Sequence, residues 1–120
     1  IVAVPDMPDY VKGVINLRGQ VIPVIDMRLK LKMEKREYDD RTCIVIVKIN
    51  TTNVGLIVDT VSEVVNIPEA NIEPAPSFKD SKTDNRYISG IGKTGEEVKI
   101  LLDVSKLLEE QEIEEIQTKA

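Results

Sequence analysis

A chain of 120 residues with 42% hydrophobic residues, three Tyr, one Phe and no Trp has room for one domain or two very small ones, built on Val, Ile and Leu. Its net charge is −5, and Glu109 to Ala120, with five Glu and one Lys, carries −4 of it; the nearly neutral remainder does not suit a phosphate backbone, which rewards clustered Lys and Arg. No His and a single Cys exclude Ser-His and Cys-His nucleophile pairs, an internal disulfide and a Cys-based structural zinc site.

Val2 to Pro8 carries two prolines, Pro5 and Pro8, and reads as an extended segment breaking into a turn. Val14–Leu17 and Val21–Ile25, joined through Arg18-Gly19-Gln20, read as a hairpin with a tight loop. Pro23 cannot donate to a ladder, which predicts an edge or a bulge there. Asp26 is placed to cap a helical turn over Met27 to Leu31 with Leu29 inward. Lys32 to Arg41 is charged and reads as a solvated loop.

Strand signals return at Thr42–Ile49, Val54–Val58 and Val61–Ile67, with a polar turn at Asn50-Thr51-Thr52-Asn53. Cys43, inside the first of these apolar runs, is expected to behave as a small buried hydrophobe, and Ile46 as core. Pro68–Pro76 is a proline-punctuated connection and Lys79–Asn85 a polar loop. Two more strands are expected at Tyr87–Gly92 and Val98–Leu102, turning at Gly95. Asp103 or Ser105 can cap a final helix whose stripe of Val104, Leu107 and Leu108 docks, with Ile113 and Ile116 off that face and the end frayed. About seven short strands argue for an all-β sandwich or barrel, and no repeat of 20–50 residues is visible.

Chemistry is sparse. The six glycines form no phosphate-binding loop; Gly90-Ile91-Gly92 matches only the start of a dinucleotide fingerprint and sits between strands. Asp26, Asp59, Glu63 and Asp103 lie near strand ends, where capping explains them as well as acid–base work does. Tyr10, Tyr38, Phe78 and Tyr87 are too scattered to make a base-stacking platform. No catalytic residue, cofactor or metal site is assigned, and the protein is not expected to be an enzyme. No apolar run reaches the ~20 residues of a bilayer span and no signal-peptide pattern opens the chain, so neither membrane insertion nor export is expected and the predicted compartment is the cytoplasm.

One stretch is specific. Pro5-Asp6-Met7-Pro8, then Lys12-Gly13-Val14-Ile15-Asn16-Leu17-Arg18-Gly19, then Val21-Ile22-Pro23-Val24-Ile25-Asp26-Met27-Arg28 resembles the signature region of the CheW-like family, with Met27 where Leu is common. Gly55–Val64, Ile72–Pro76 and Tyr87–Gly92 resemble its later stretches. The resemblance implies two small five-stranded SH3/OB-like barrels around a shared core, with a short C-terminal helix. It also implies a non-catalytic adaptor that joins the cytoplasmic signalling tip of methyl-accepting chemoreceptors to the regulatory domain of the kinase CheA.

Carried over by position, the receptor-binding residues are Gly13, Asn16 and Arg18, with Val61 and Val64 on a groove wall. Arg18 also has an independent case, since a guanidinium at a loop can meet a carboxylate or main-chain carbonyls on a receptor helix; the plain alternative is a solvated turn arginine. Val54 and Ile57 are candidate kinase contacts, and Gly19 and Gly55 candidate structural turns. The CheW-like part is expected over 1–110, followed by an acidic helical tail over 111–120. The family's first strands are not found ahead of the proline turn, which predicts a fragment, or an edge completed by strand addition or swapped self-association. A detached domain of a larger chemotaxis protein and an OB-like nucleic-acid binder are the alternatives.

Overall fold

The computed structural model describes residues 1–74, 87–108, 112–113 and 115–116. They contain the strands β1 (Val11–Leu17), β2 (Gln20–Asp26), β3 (Cys43–Ile49), β4 (Thr52–Val58), β5 (Ile72–Glu73), β6 (Ile88–Thr94) and β7 (Glu97–Leu102), and the short helix α1 (Met27–Lys30); residues 112–113 and 115–116 are also helical, as expected of the C-terminal tail. A four-stranded sheet runs in the order β1-β2-β4-β3 and a three-stranded sheet in the order β5-β6-β7. The chain divides into two compact units, Ile1–Val61 with Leu108–Ala120, and Ser62–Leu107. The all-β, two-lobed expectation stands, with sheets of four and three strands in place of five each and no closed barrel among the described residues.

In the first unit, β1 and β2 pair antiparallel from Val11↔Ile25 to Leu17↔Gln20, with an irregularity between Val11 and Gly13. Gly13 causes it. Its φ is +139°, and a Cβ there would lie 2.0 Å from the Val2 carbonyl oxygen. The bare backbone lets Val2 approach and exchange two hydrogen bonds of 2.9 Å with Val14, so glycine serves close approach as well as conformation. Because Val14 spends its amide and carbonyl on Val2, its partner Pro23 faces it across a non-hydrogen-bonded pair. The missing Pro23 donor points the other way, where parallel pairing with β4 begins one residue later, at Val24↔Gly55. Pro23 thus sits inside the sheet, at a place where only one ladder is formed.

β2 and β4 supply the core: Ile22, Val24, Ile25 and Val54 are essentially inaccessible, and Ile49 joins them from the end of β3. Gly55 lies in the middle of β4, not at a turn. A Cβ there would press on Ile44 and Val24, so its role is to admit neighbouring side chains. The rest of β3 departs from expectation. Cys43 is exposed, as are Ile44, Val45 and Ile46, the last at 40%. Among the described residues β3 pairs only with β4, so it is an edge strand with little packed against its faces, which the apolar run could not reveal.

In the second unit, β6 and β7 pair antiparallel around Gly95, whose φ is +62°, and β5 pairs with β6 through Ile72↔Gly92. The expected strand at Val61–Ile67 is absent; this stretch has no regular structure and no ladder partner, and β5 forms instead inside the predicted connection. Lys79–Asn85 and Phe78 lie outside the described residues. Asp103 caps only a 3₁₀ turn, Val104–Lys106, accepting from the Ser105 amide. Ile113 and Ile116, expected off the docked face, are 3% and 0% exposed. The single-helix projection failed at its start, because the turn over Val104–Lys106 is 3₁₀ and the α-helical spacing counted from Val104 does not apply.

Truncating Ile49 to Ala should cost about 2–4 kcal/mol of stability, since it empties core volume, whereas Ile46→Ala should cost under ~1 kcal/mol at its exposed edge. Chemical denaturation of the two variants checks this; equal losses would show that β3 is buried along its whole length.

Candidate interaction site at the first hairpin

Only Arg18 and Gly19 join β1 to β2. A two-residue connection between right-twisted strands requires a turn with positive φ at both central positions when it is of the primed type I, and the observed values are +53° for Arg18 and +82° for Gly19. Glycine takes this conformation freely. For arginine it is unfavourable, because Cβ crowds the following carbonyl. The Arg18 side chain is exposed and makes no hydrogen bond or ion pair among the described residues. Leu17 and Val21, 42% and 49% exposed, flank it on opposite faces of the ribbon. The tip therefore combines a free guanidinium, a group enriched at interface hot spots, with aliphatic surface. Sequence reasoning missed Leu17 and Val21, because an unbroken apolar run does not say which member is outside.

Asn16 is the other predicted receptor-binding residue at this tip: its Oδ1 accepts a 3.0 Å hydrogen bond from the Gly19 amide. Gln20, just past the turn, accepts from Asn53 Nδ2 at 3.4 Å, which links the hairpin to the start of β4. Gly13 is buried in mid-strand and can offer no side chain. Val61 follows Asp59, which pairs with Arg28 at 2.8 Å beyond the opposite end of β2, a strand of roughly 20 Å. Val61 and Val64 are both exposed, Val64 almost completely, but they belong to different units. Val54 and Ile57 are core residues at 0% and 4% exposure, because β4 lies between β2 and β3; the kinase-contact assignment to them is corrected.

The end of the sheet opposite the tip is tied down by polar contacts. Asp26, buried, caps α1 by accepting from the Leu29 amide and also accepts from the Tyr38 hydroxyl at 2.8 Å. Met27, rather than the half-buried Leu29, is the inward residue of α1. Arg28 and Arg36 converge on Asp59, so the charged loop is anchored although it is exposed. Nearby, Tyr10 donates to Glu112 at 2.5 Å, and Lys30 lies 4.3 Å from the centre of the Tyr10 ring and 3.6 Å from Glu112. These contacts attach the C-terminal segment to the first unit. Among the described residues no group of three or more acidic or Cys side chains is arranged to hold a metal ion, and no helix is long and apolar enough to cross a membrane.

Burial, followed by the bond to Asp26, pushes the Tyr38 hydroxyl far above the ordinary tyrosine range, and burial with the Glu112 bond does the same to Tyr10. A phenol whose pKa is raised on folding contributes stability that is present below ~10 and is lost as pH rises beyond it. Absorbance titration should show Tyr10 and Tyr38 ionising above the ordinary tyrosine range, with Tyr10→Phe and Tyr38→Phe each removing one late phenol. Ionisation of both near 10 in folded protein would contradict these contacts.

A mostly β chain in two sheets, with an exposed charged tip and aliphatic edges, defines a domain that works through its surface. Comparison with known proteins says which kind. Residues 1–112 match the CheW-like domain family. The chemotaxis protein CheW of Klebsiella aerogenes is 36% identical over 94% of this chain and 68% of its own length, and that of Helicobacter pylori 38% identical over 88% and 62%. The chain thus spans about two thirds of the length of these relatives. The crystal structure of the scaffolding protein TtCheW from Thermoanaerobacter tengcongensis superposes with a TM-score of 0.82 at 38% identity, covering 91% of this chain and 73% of that one. The chain belongs to the CheW-like domain family, a family of chemotaxis adaptors.

Proposed function

We propose that the chain couples a chemoreceptor's cytoplasmic signalling tip to the regulatory domain of the kinase CheA through surface contacts, without a reaction of its own, and that the first hairpin faces the receptor. The observation that supports this most is Arg18. An arginine held in an unfavourable backbone conformation, where Asn or Gly would be better, points to a role for its side chain. An unpaired, always-charged fork between two aliphatic side chains can grip a carboxylate or the last carbonyls of a helix. Val61 and Val64 remain proposed as receptor contacts, each an exposed aliphatic residue of its own unit.

For the kinase we propose the exposed apolar strands: Ile44, Val45 and Ile46 on β3, and Val98, Ile100 and Leu102 on one face of β7, all accessible. The β3 edge also fits strand addition by another chain, which predicts a concentration-dependent mass in light scattering. A strictly monomeric protein at high concentration would remove the strand-addition proposal.

Arg18→Asn separates contact from folding. Asparagine tolerates positive φ, so the variant should match the parent in stability or exceed it by up to ~1 kcal/mol, while association with a receptor signalling fragment weakens about tenfold or more through loss of a charge-assisted bond. Arg18→Glu should weaken it further. Unchanged receptor binding in Arg18→Asn would refute the assignment of the tip.

A further inference from the structure

The two hairpins are variants of one design, and their difference isolates a role for Asn16. Tyr10, Gly13 and Asp26 recur 77 residues later as Tyr87, Gly90 and Asp103. The likeness is structural as well. Asp26 N–H donates to the Tyr10 carbonyl and Asp103 N–H to that of Tyr87, each at 2.7 Å. Both first strands are irregular at the glycine, between Val11 and Gly13 and between Ile88 and Gly90. Both glycines admit the backbone of an earlier segment, Val2 in one case and Glu73 in the other. Asp26 and Asp103 each cap the short helical turn that follows.

With that offset Arg18 corresponds to Gly95, and Asn16 to Lys93. In the second hairpin the first turn position is glycine with φ +62°, and Lys93 is engaged elsewhere, 2.6 Å from Glu73. In the first hairpin that position carries arginine, and Asn16 binds the amide of the residue after it. That amide has no ladder partner in a two-residue loop and lies at the surface, so the asparagine oxygen takes the place of water on it.

Resting on the assignment of the tip to the receptor, we infer that Asn16 is a positioning residue: its carboxamide oxygen closes the turn on Gly19 N–H and holds Arg18 left-handed with its guanidinium outward. Asn16 contributes to receptor binding through Arg18 and makes no contact of its own.

Amide hydrogen exchange at Gly19 and receptor-fragment binding, measured on the full chain, test this together. Asn16→Ala should speed Gly19 exchange and weaken binding, each about fivefold, the value of one net hydrogen bond. Asn16→Asp keeps the acceptor and should restore slow exchange. In an Arg18→Asn background, Asn16→Ala should leave binding unchanged, because the group it positions is gone. If Asn16→Ala weakens binding equally with and without Arg18, or leaves Gly19 exchange unaltered, the positioning role is overturned. Full binding by Arg18→Asn alone would refute the receptor assignment, and with it any role of Asn16 in binding, while the exchange data would still report the turn.

Discussion

A connection of only two residues between β1 and β2 governs the candidate site. Strand twist imposes left-handed backbone on both residues, and the chain places arginine in one of them. The consequences run outward from there. The turn must be held, and Asn16 holds it; the tip must stand on a rigid base, and β2 is packed against β4 with Ile22, Val24, Ile25 and Val54 inaccessible to solvent. At the far end, Asp26, Arg28, Asp59 and Tyr38 fix where β2 leaves the sheet. The backbone that carries Arg18 is already ordered by such a base, so binding has only the side chain's own rotamers to fix, which favours affinity without adding contacts.

The second unit shows what the same hairpin looks like without that demand. Gly95 turns freely and Lys93 pairs with Glu73 on its own sheet. Its edge strand β7 instead exposes Val98, Ile100 and Leu102. One hairpin design thus carries a charged tip in one copy and an aliphatic face in the other. Two unlike surfaces in one small chain suit an adaptor, which must hold two different partners at once.

Much of this could be read from sequence where the signal was local. The Arg18-Gly19 turn, the Asp26 cap and the Gly95 turn follow from conformational preferences of single residues, and each stands where expected. Burial was less legible. Cys43 and Ile46 read as core members of a strand, yet β3 is an exposed edge, and Val61 to Ile67, read as a strand, has no ladder partner, because exposure and pairing depend on which strands lie alongside. Val54 and Ile57 show the converse: nothing local distinguishes a strand end from a central position. Ile113 and Ile116 were placed outside by counting α-helical spacing through a 3₁₀ turn. The internal likeness is faint in sequence, since few identities recur at that offset (Tyr10, Gly13, Val21, Asp26 and Leu31 as Tyr87, Gly90, Val98, Asp103 and Leu108), spaced by the structure they make rather than by a short period.

The most direct measurement is the map of amide shifts when an isotopically labelled chain is titrated with a receptor signalling fragment. Shifts centred on Asn16 to Val21, diminished in Arg18→Asn, are the predicted result. Shifts confined to β3 or β7, with the first hairpin unmoved, would contradict the claim that a strained, outward arginine is what the receptor meets.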